Sequence, residues 1–190
     1  MIALHPGFAD PVQDSQAAFR AVLDAMAQPG RIHRVARPDL PPPGLDRATA
    51  SILLTLVDAE SPVFLDGAAE PYRDWIVFHC GAPIVSAAEA SFAVVLGALD
   101  VGHFPTGSDA APEDGATIIA QIEALGTGQQ FRLAGPGIAG HADFAASGLP
   151  AGFVESWAAN HALFPRGADL ILCAGDRVAA LPRSVRVEPR

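Results

Sequence analysis

Two hydrophobic periodicities alternate along this chain, separated by Gly and Pro, and that alternation restricts the fold more than any other feature. Asp10-Pro11 supplies a helix cap and a Pro suited to a first turn, after which Val12, Phe19, Val22, Leu23 and Met26 recur at helical spacing until Pro29-Gly30. Arg31 to Ala36 alternates like a short strand, and Arg37 to Gly44 is a Pro-rich loop that continues neither element. Asp46 is placed to cap a second helix through Ile52, Leu53 and Leu56, and Pro62 to Leu65 reads as a short buried strand. Tyr72 to Phe78 fits either a helix or a strand by pattern, and helix is favoured because Tyr72, Trp75 and Phe78 follow one another at steps of three.

Strand patterns dominate later. They cover Phe92 to Leu96, Thr117 to Ile122 and Phe131 to Leu133, and a Gly-containing connection between the last two suggests a hairpin. Leu170 to Ala174 and Arg177 to Leu181 flank Gly175-Asp176, two residues suited to a type II′ turn. Between the hairpins, Phe153 to His161 reads as a helix carrying Trp157. Interspersed helices and strands favour a layered α/β domain with a mixed sheet over a bundle or a β barrel. With 190 residues, half of them apolar, residues 1–190 are expected to form a single domain.

No run of 18 apolar residues occurs, and Met1 to Phe8 lacks the basic and apolar regions of a signal peptide, which points to a cytoplasmic protein with no membrane span. A net charge of −9 argues against nucleic acid as a partner, since duplex binding needs a basic footprint. All twelve basic residues are Arg. A chain without Lys excludes a Schiff base to pyridoxal phosphate, a P-loop and a protein kinase in their usual forms, while Arg still offers a bidentate fork to phosphate or carboxylate. Cys80 and Cys173 lie far apart, each in an apolar stretch, which suits reduced, buried thiols.

Gly135-Pro136-Gly137-Ile138-Ala139-Gly140 matches a dinucleotide-binding fingerprint after a strand-like segment. Gly148, Pro150 and Gly152 interrupt the region where the required helix would run, so the string reads as a tight turn whose backbone approaches a ligand or partner. No G-x-S-x-G elbow is present. The six His residues, His5, His33, His79, His103, His141 and His161, show no metal-ligand spacing. His79 with Cys80 and His141 with Asp143 offer two ligands each, so neither a metal nor a cofactor is expected. Asp58, Glu60, Glu113 and Asp114 are candidate bases, although surface turns collect acids for other reasons. Arg132, Arg166 and Arg183 each sit beside a Gly- or Pro-marked turn near a strand, where a fixed guanidinium meets an anion or an acid.

Ordered strings along nearly the whole chain carry a resemblance. They run from Pro11-Val12-Gln13-Asp14-Ser15-Gln16 with Phe19-Arg20 and Pro29-Gly30, through Leu53-Leu54-Thr55-Leu56, Ser61-Pro62-Val63 and Phe78-His79 with Ala82-Pro83, to Pro112-Glu113-Asp114-Gly115-Ala116-Thr117. Arg132-Leu133 with Gly135-Pro136-Gly137-Ile138, Phe164-Pro165-Arg166-Gly167 with Asp169-Leu170-Ile171-Leu172, and Pro182-Arg183 complete the set. The chain resembles the PhnH family of the carbon–phosphorus lyase system. The resemblance implies a layered α/β/α domain with a mixed sheet, shaped like the large domain of pyridoxal-phosphate-dependent transferases without that cofactor. It also implies a homodimer that joins the G, I and J subunits of the lyase in a core complex. That system converts alkylphosphonate and ATP into ribose 1-phosphonate 5-triphosphate, and a separate iron–sulfur, S-adenosylmethionine-dependent subunit then breaks the C–P bond.

The expectation is therefore a non-autonomous subunit of a transferase/lyase assembly, with no catalytic residue assigned. Arg132, Gly135, Gly137, Arg166 and Arg183 are the residues expected to touch a partner or a nucleotide or phosphonate ligand. The alternative is a stand-alone small enzyme acting on an anionic, phosphorylated metabolite, with Arg132 or Arg183 as anchor and Glu113 or Asp58 as base.

Overall fold

The computed structural model describes residues 5–35, 38 and 41–190, so the start of the N-terminal segment and part of the Pro-rich loop lie outside the described residues, as does the last residue of the strand expected over Arg31 to Ala36. Helix α1 runs Pro11–Ala27. Its start is built by a reciprocal cap: the Asp10 carboxylate accepts the Gln13 N–H at 3.1 Å, and the Asp10 N–H donates to the Asp14 carboxylate at 3.0 Å. The other helices are α2 (Arg47–Leu56), α3 (Arg73–Cys80) and α4 (Phe153–His161). The strands are β1 (His33–Arg34), β2 (Val63–Leu65), β3 (Phe92–Val95), β4 (Thr117–Gln121), β5 (Ala124–Ala134), β6 (Ala142–Ser147), β7 (Asp169–Ala174), β8 (Arg177–Leu181) and β9 (Arg186–Pro189).

Six strands form a mixed sheet in the order β1-β8-β7-β4-β3-β2. Strands β2, β3, β4 and β7 are parallel, and β8 and β1 are antiparallel to their neighbours. Both faces of this sheet are covered, which is why its strands read as nearly continuous apolar runs. Alternate residues supply two cores. Ile118, Ala120, Leu170 and Leu172 face Phe131, Phe144, Phe153 and Trp157, whereas Val94, Ile119, Ile171 and Cys173 face Ile52, Leu53, Trp75 and Ile76. Helices α1, α2 and α3 form the layer on the second side.

The layer on the first side departs from the expected α/β/α arrangement. It combines α4 with a second, three-stranded sheet in the order β6-β5-β9. The hairpin expected between β4 and β5 does not form, because β3 and β7 already occupy both edges of β4. The chain leaves the large sheet at Ile122-Glu123, and β5 pairs with β6 and β9 instead. The other expected hairpin is present: β7 and β8 pair from Leu170↔Leu181 to Ala174↔Arg177. Gly175 has φ 61° and no non-Gly residue among those described has positive φ, which is the pattern of a type II′ turn.

Asp46 precedes α2 as expected, but its carboxylate makes no helix cap and accepts the Gly175 N–H at 2.7 Å, tying the β7–β8 turn to the start of α2. Across the sheet β2, β3, β4 and β7 follow one another in chain order. The parallel sheet thus has no topological switch point, and the crevice rule for doubly wound sheets does not locate a site. Among the described residues, no helix is long and apolar enough to cross a membrane.

Candidate functional site

Three Gly- and Pro-marked loops meet where β4 and β7 begin: 112–115, 164–167 and 182–183. Arg183 joins them. Its Nη2 and Nε donate to the Asp169 carboxylate at 2.6 and 3.2 Å, its backbone N–H donates to Asp169 Oδ1 at 2.7 Å, and its Nη1 donates to the Pro112 carbonyl. The two side chains are only 13% and 17% exposed, so the pair is shielded from solvent. Asn160 adds a second clamp, accepting from Ala168 N–H at 2.8 Å and donating to Ala168 C=O at 2.9 Å. Gly115 is required by this crowding, because a Cβ there would overlap the Gly167 carbonyl and stand 2.7 Å from Arg183 Nη1.

The remaining residues singled out from the sequence are placed differently. Arg166 continues the cluster outward, with Nε 3.1 Å from the exposed Asp109 carboxylate. Arg132 stands exposed on the three-stranded sheet, in register between Asp143 on β6 and Glu188 on β9. Two flanking acids lower the potential for an anion there. Gly135 and Gly137 do form a tight turn of closely approaching backbone, but the approach is to this chain's own residues. With φ 150° and 81°, they lie against Ser184-Val185 and against the Ala27 carbonyl that ends α1. Gly137 also lines an open cavity of about 200 Å³ with Gln28, Arg31 and His141.

Asp58 and Glu113 are not brought together. The Asp58 carboxylate accepts from Ser61 Oγ at 2.8 Å and from Glu60 N–H at 2.9 Å, bonds that hold it below the usual carboxylate range. Glu113 is exposed in the turn beside Arg183. His79 Nε2 sits 2.9 Å from the His5 carbonyl, a structural bond that ties the N-terminal segment to α3, and the described residues contain no group of three or more His, Cys, Asp or Glu side chains fit for a metal. Cys80 and Cys173 are both free and buried, and burial pushes each thiol up to about 12.

Sequence reasoning missed an apolar surface. Helix α1 buries Ala18, Ala21, Val22 and Ala25, leaving Val12, Phe19 and Leu23 exposed at 73%, 46% and 51%. Phe78 on α3 is 63% exposed beside Val77. Phe19, Val12 and Gln16 line a shallow groove of about 420 Å³ with Thr55 of α2. The small residues Ala18, Ala21 and Ala25 were the available signal, because Ala lets a helix sit close to its neighbours, whereas the larger Val12, Phe19 and Leu23 point away.

A family model described as bacterial phosphonate metabolism protein (PhnH) matches residues 6–188. The chain belongs to the PhnH family. It is 40% identical over 187 residues, 95% of its own length and 94% of the relative's, to the alpha-D-ribose 1-methylphosphonate 5-triphosphate synthase subunit PhnH of Rhizobium meliloti (strain 1021). It is 32% identical over 176 residues, 90% of its length and 85% of the relative's, to the putative C-P lyase subunit protein HtxG of Stutzerimonas stutzeri. The PhnH match spans both sheets and all three loops around Arg183, so those loops belong to the PhnH domain and are not additions to it.

Proposed function

We propose that this chain is the PhnH component of a carbon–phosphorus lyase core complex, needed to form ribose 1-phosphonate 5-triphosphate from alkylphosphonate and ATP, and non-autonomous in that task. The observation that carries the reading is the 40% identity, along 95% of the chain, with a named synthase subunit. Two structural features support it. The loops around Arg183 form a closed set of internal bonds, and the helical layer presents Val12, Phe19, Leu23 and Phe78 to its surroundings. Apolar side chains grouped on one layer are the usual mark of a protein contact. On this reading the chain works in the cytoplasm as a homodimer and docks the G, I and J subunits of the lyase. Exposed Arg132 and half-buried Arg166 contact partners, while Gly135, Gly137 and Arg183 shape the loops that carry them. The single domain resembles the large domain of pyridoxal-phosphate-dependent transferases in shape only, since no Lys is available for a Schiff base.

The test is co-expression of this chain with the G, I and J subunits, the affinity tag being on the I component. The tagged component should retain this chain at a fixed stoichiometry through gel filtration. Isolation of a stable complex of the G, I and J subunits from which this chain washes away would overturn the reading.

A further inference from the structure

Strand β6 is an uncovered sheet edge. In the six-stranded sheet, β2 is bonded on its outer side by Pro83 and Val85 and β1 spans only two residues, while in the three-stranded sheet β9 runs beside α4. The alternation of hydrogen bonds in an antiparallel ladder shows which groups β6 leaves free. The Arg190 N–H donates to the Gln130 carbonyl at 3.1 Å, so Gln130 and, two residues on, Arg132 turn their backbone groups to β9. Pro189, with no N–H to give, accordingly falls opposite Phe131 at a non-bonded position. Phe131 and Leu133 therefore bond β6 through Phe144 and Ala142, and the N–H and C=O groups of Asp143 and Ala145 point away from the sheet. Among the described residues no other segment bonds them.

Free edges are usually blunted by Lys, Pro or an unpaired charge. Ala142–Ser147 has no Lys and no Pro, and its single charge, Asp143, is paired with Arg190 at 2.8 Å. Two open cavities lie along the strand: one of about 240 Å³ touches Gly30, Ile32, Phe144 and Ala145, and one of about 200 Å³ touches Pro29, Arg31 and Ala142. Successive residues of β6 form one wall and residues 29–32 the other, which leaves a slot one chain wide. We propose that this slot takes an extended segment of another component of the assembly, added to β6 as a fourth strand of the small sheet. The backbone of that segment pairs with the N–H and C=O groups of Asp143 and Ala145, and its alternate side chains, small or apolar, enter against Ile32 and Phe144. A carboxylate on it meets Arg31, which is exposed and makes no ion pair among the described residues. A second copy of this chain does not fit, because pairing two β6 strands would drive residues 29–32 of each copy into the β6 of the other. The inference rests on the proposed place in the complex and names a surface through which that place is held.

The experiment compares amide hydrogen exchange of the full chain, alone and bound to the G, I and J subunits, quenched and read residue by residue. The amides of Asp143 and Ala145 should exchange quickly in the lone chain and at least about tenfold more slowly in the complex. Ala145→Pro removes an N–H that has no partner within the chain, so the variant should stay folded, whereas Ala146→Pro removes a bond to β5 and should lower the unfolding temperature clearly. Ala145→Pro should bind an immobilised complex of the G, I and J subunits at least about tenfold more weakly than the parent chain. Arg31→Gln should bind about threefold more weakly, the scale of an exposed ion pair. The exchange measurement needs no substitution, so it decides the matter even if Ala145→Pro fails to fold. The proposal is overturned if both amides exchange alike in the two states, if folded Ala145→Pro binds as the parent does, or if concentrating the lone chain protects them, which would assign the edge to a second copy. Binding of the parent chain with both amides unprotected overturns this edge and leaves the place in the complex standing; no binding of the parent chain overturns both.

Discussion

Arg183 acquires its role from burial more than from residue type. In sequence it is one of twelve Arg residues and follows a Pro, whereas in the fold its guanidinium is enclosed with Asp169 and bonded to the Pro112 carbonyl. Replacing it with Ala should destabilise the chain by about 3 kcal/mol, because Asp169 would keep its charge in a shielded place with no cation. Urea denaturation would show this as a lower midpoint, and an unchanged midpoint would remove the loop-clamp role. The two Cys residues make a pH prediction. Burial raises both thiols from an ordinary value of 9.0 to about 12. The folded chain therefore holds protons that the unfolded chain releases, so stability is intact below pH 9, declines as pH rises from 9, and the contribution is lost as pH passes about 12. Both thiols should also resist alkylation at about pH 8 until the chain is unfolded. Fast labelling of native protein would show that the cores open readily.

Elements whose signals are local were readable in advance. The α1 cap lies within five residues, and the β7–β8 turn needs only Gly175-Asp176 between two apolar runs. The β4–β5 hairpin failed as an expectation because its competitor was remote: β7, about fifty residues later, fills the edge of β4. Turns also differ in what their glycines answer to. Gly175 has φ 61° with open space where a Cβ would stand, while Gly137 has φ 81° with the Ala27 carbonyl in that space. Gly175→Ala should cost about 1 kcal/mol, the backbone term alone, and Gly137→Ala clearly more, at least about 2 kcal/mol. Thermal unfolding of the two variants would rank them. Equal costs would mean that α1 and the Gly135 to Gly140 turn move apart freely.

At the scale of the molecule, the exposed apolar side chains of α1 and α3 separate assembly from stability. Phe19→Glu with Leu23→Glu should change folding stability by no more than about 0.5 kcal/mol each, because both side chains already meet solvent in the lone chain. The same double variant should lower the self-association of the purified chain or its retention by the other lyase components, as sedimentation and pull-down would show. Unaltered association in both assays would place the contacts on another face. The amino-acid sequence by itself determined the α/β class, the helices α1 and α4, the β7–β8 hairpin, the absence of Lys chemistry and, through ordered strings, the family. Each of these depends on neighbours in the chain or on residue identity. Only the tertiary structure decided that β5 leaves the large sheet, that Arg183 is enclosed while Arg132 stands between two acids, and that Asp143 and Ala145 turn their backbone groups away from the small sheet. Those outcomes depend on which distant segments compete for the same edge or the same volume, and spacing along a chain carries no record of that competition.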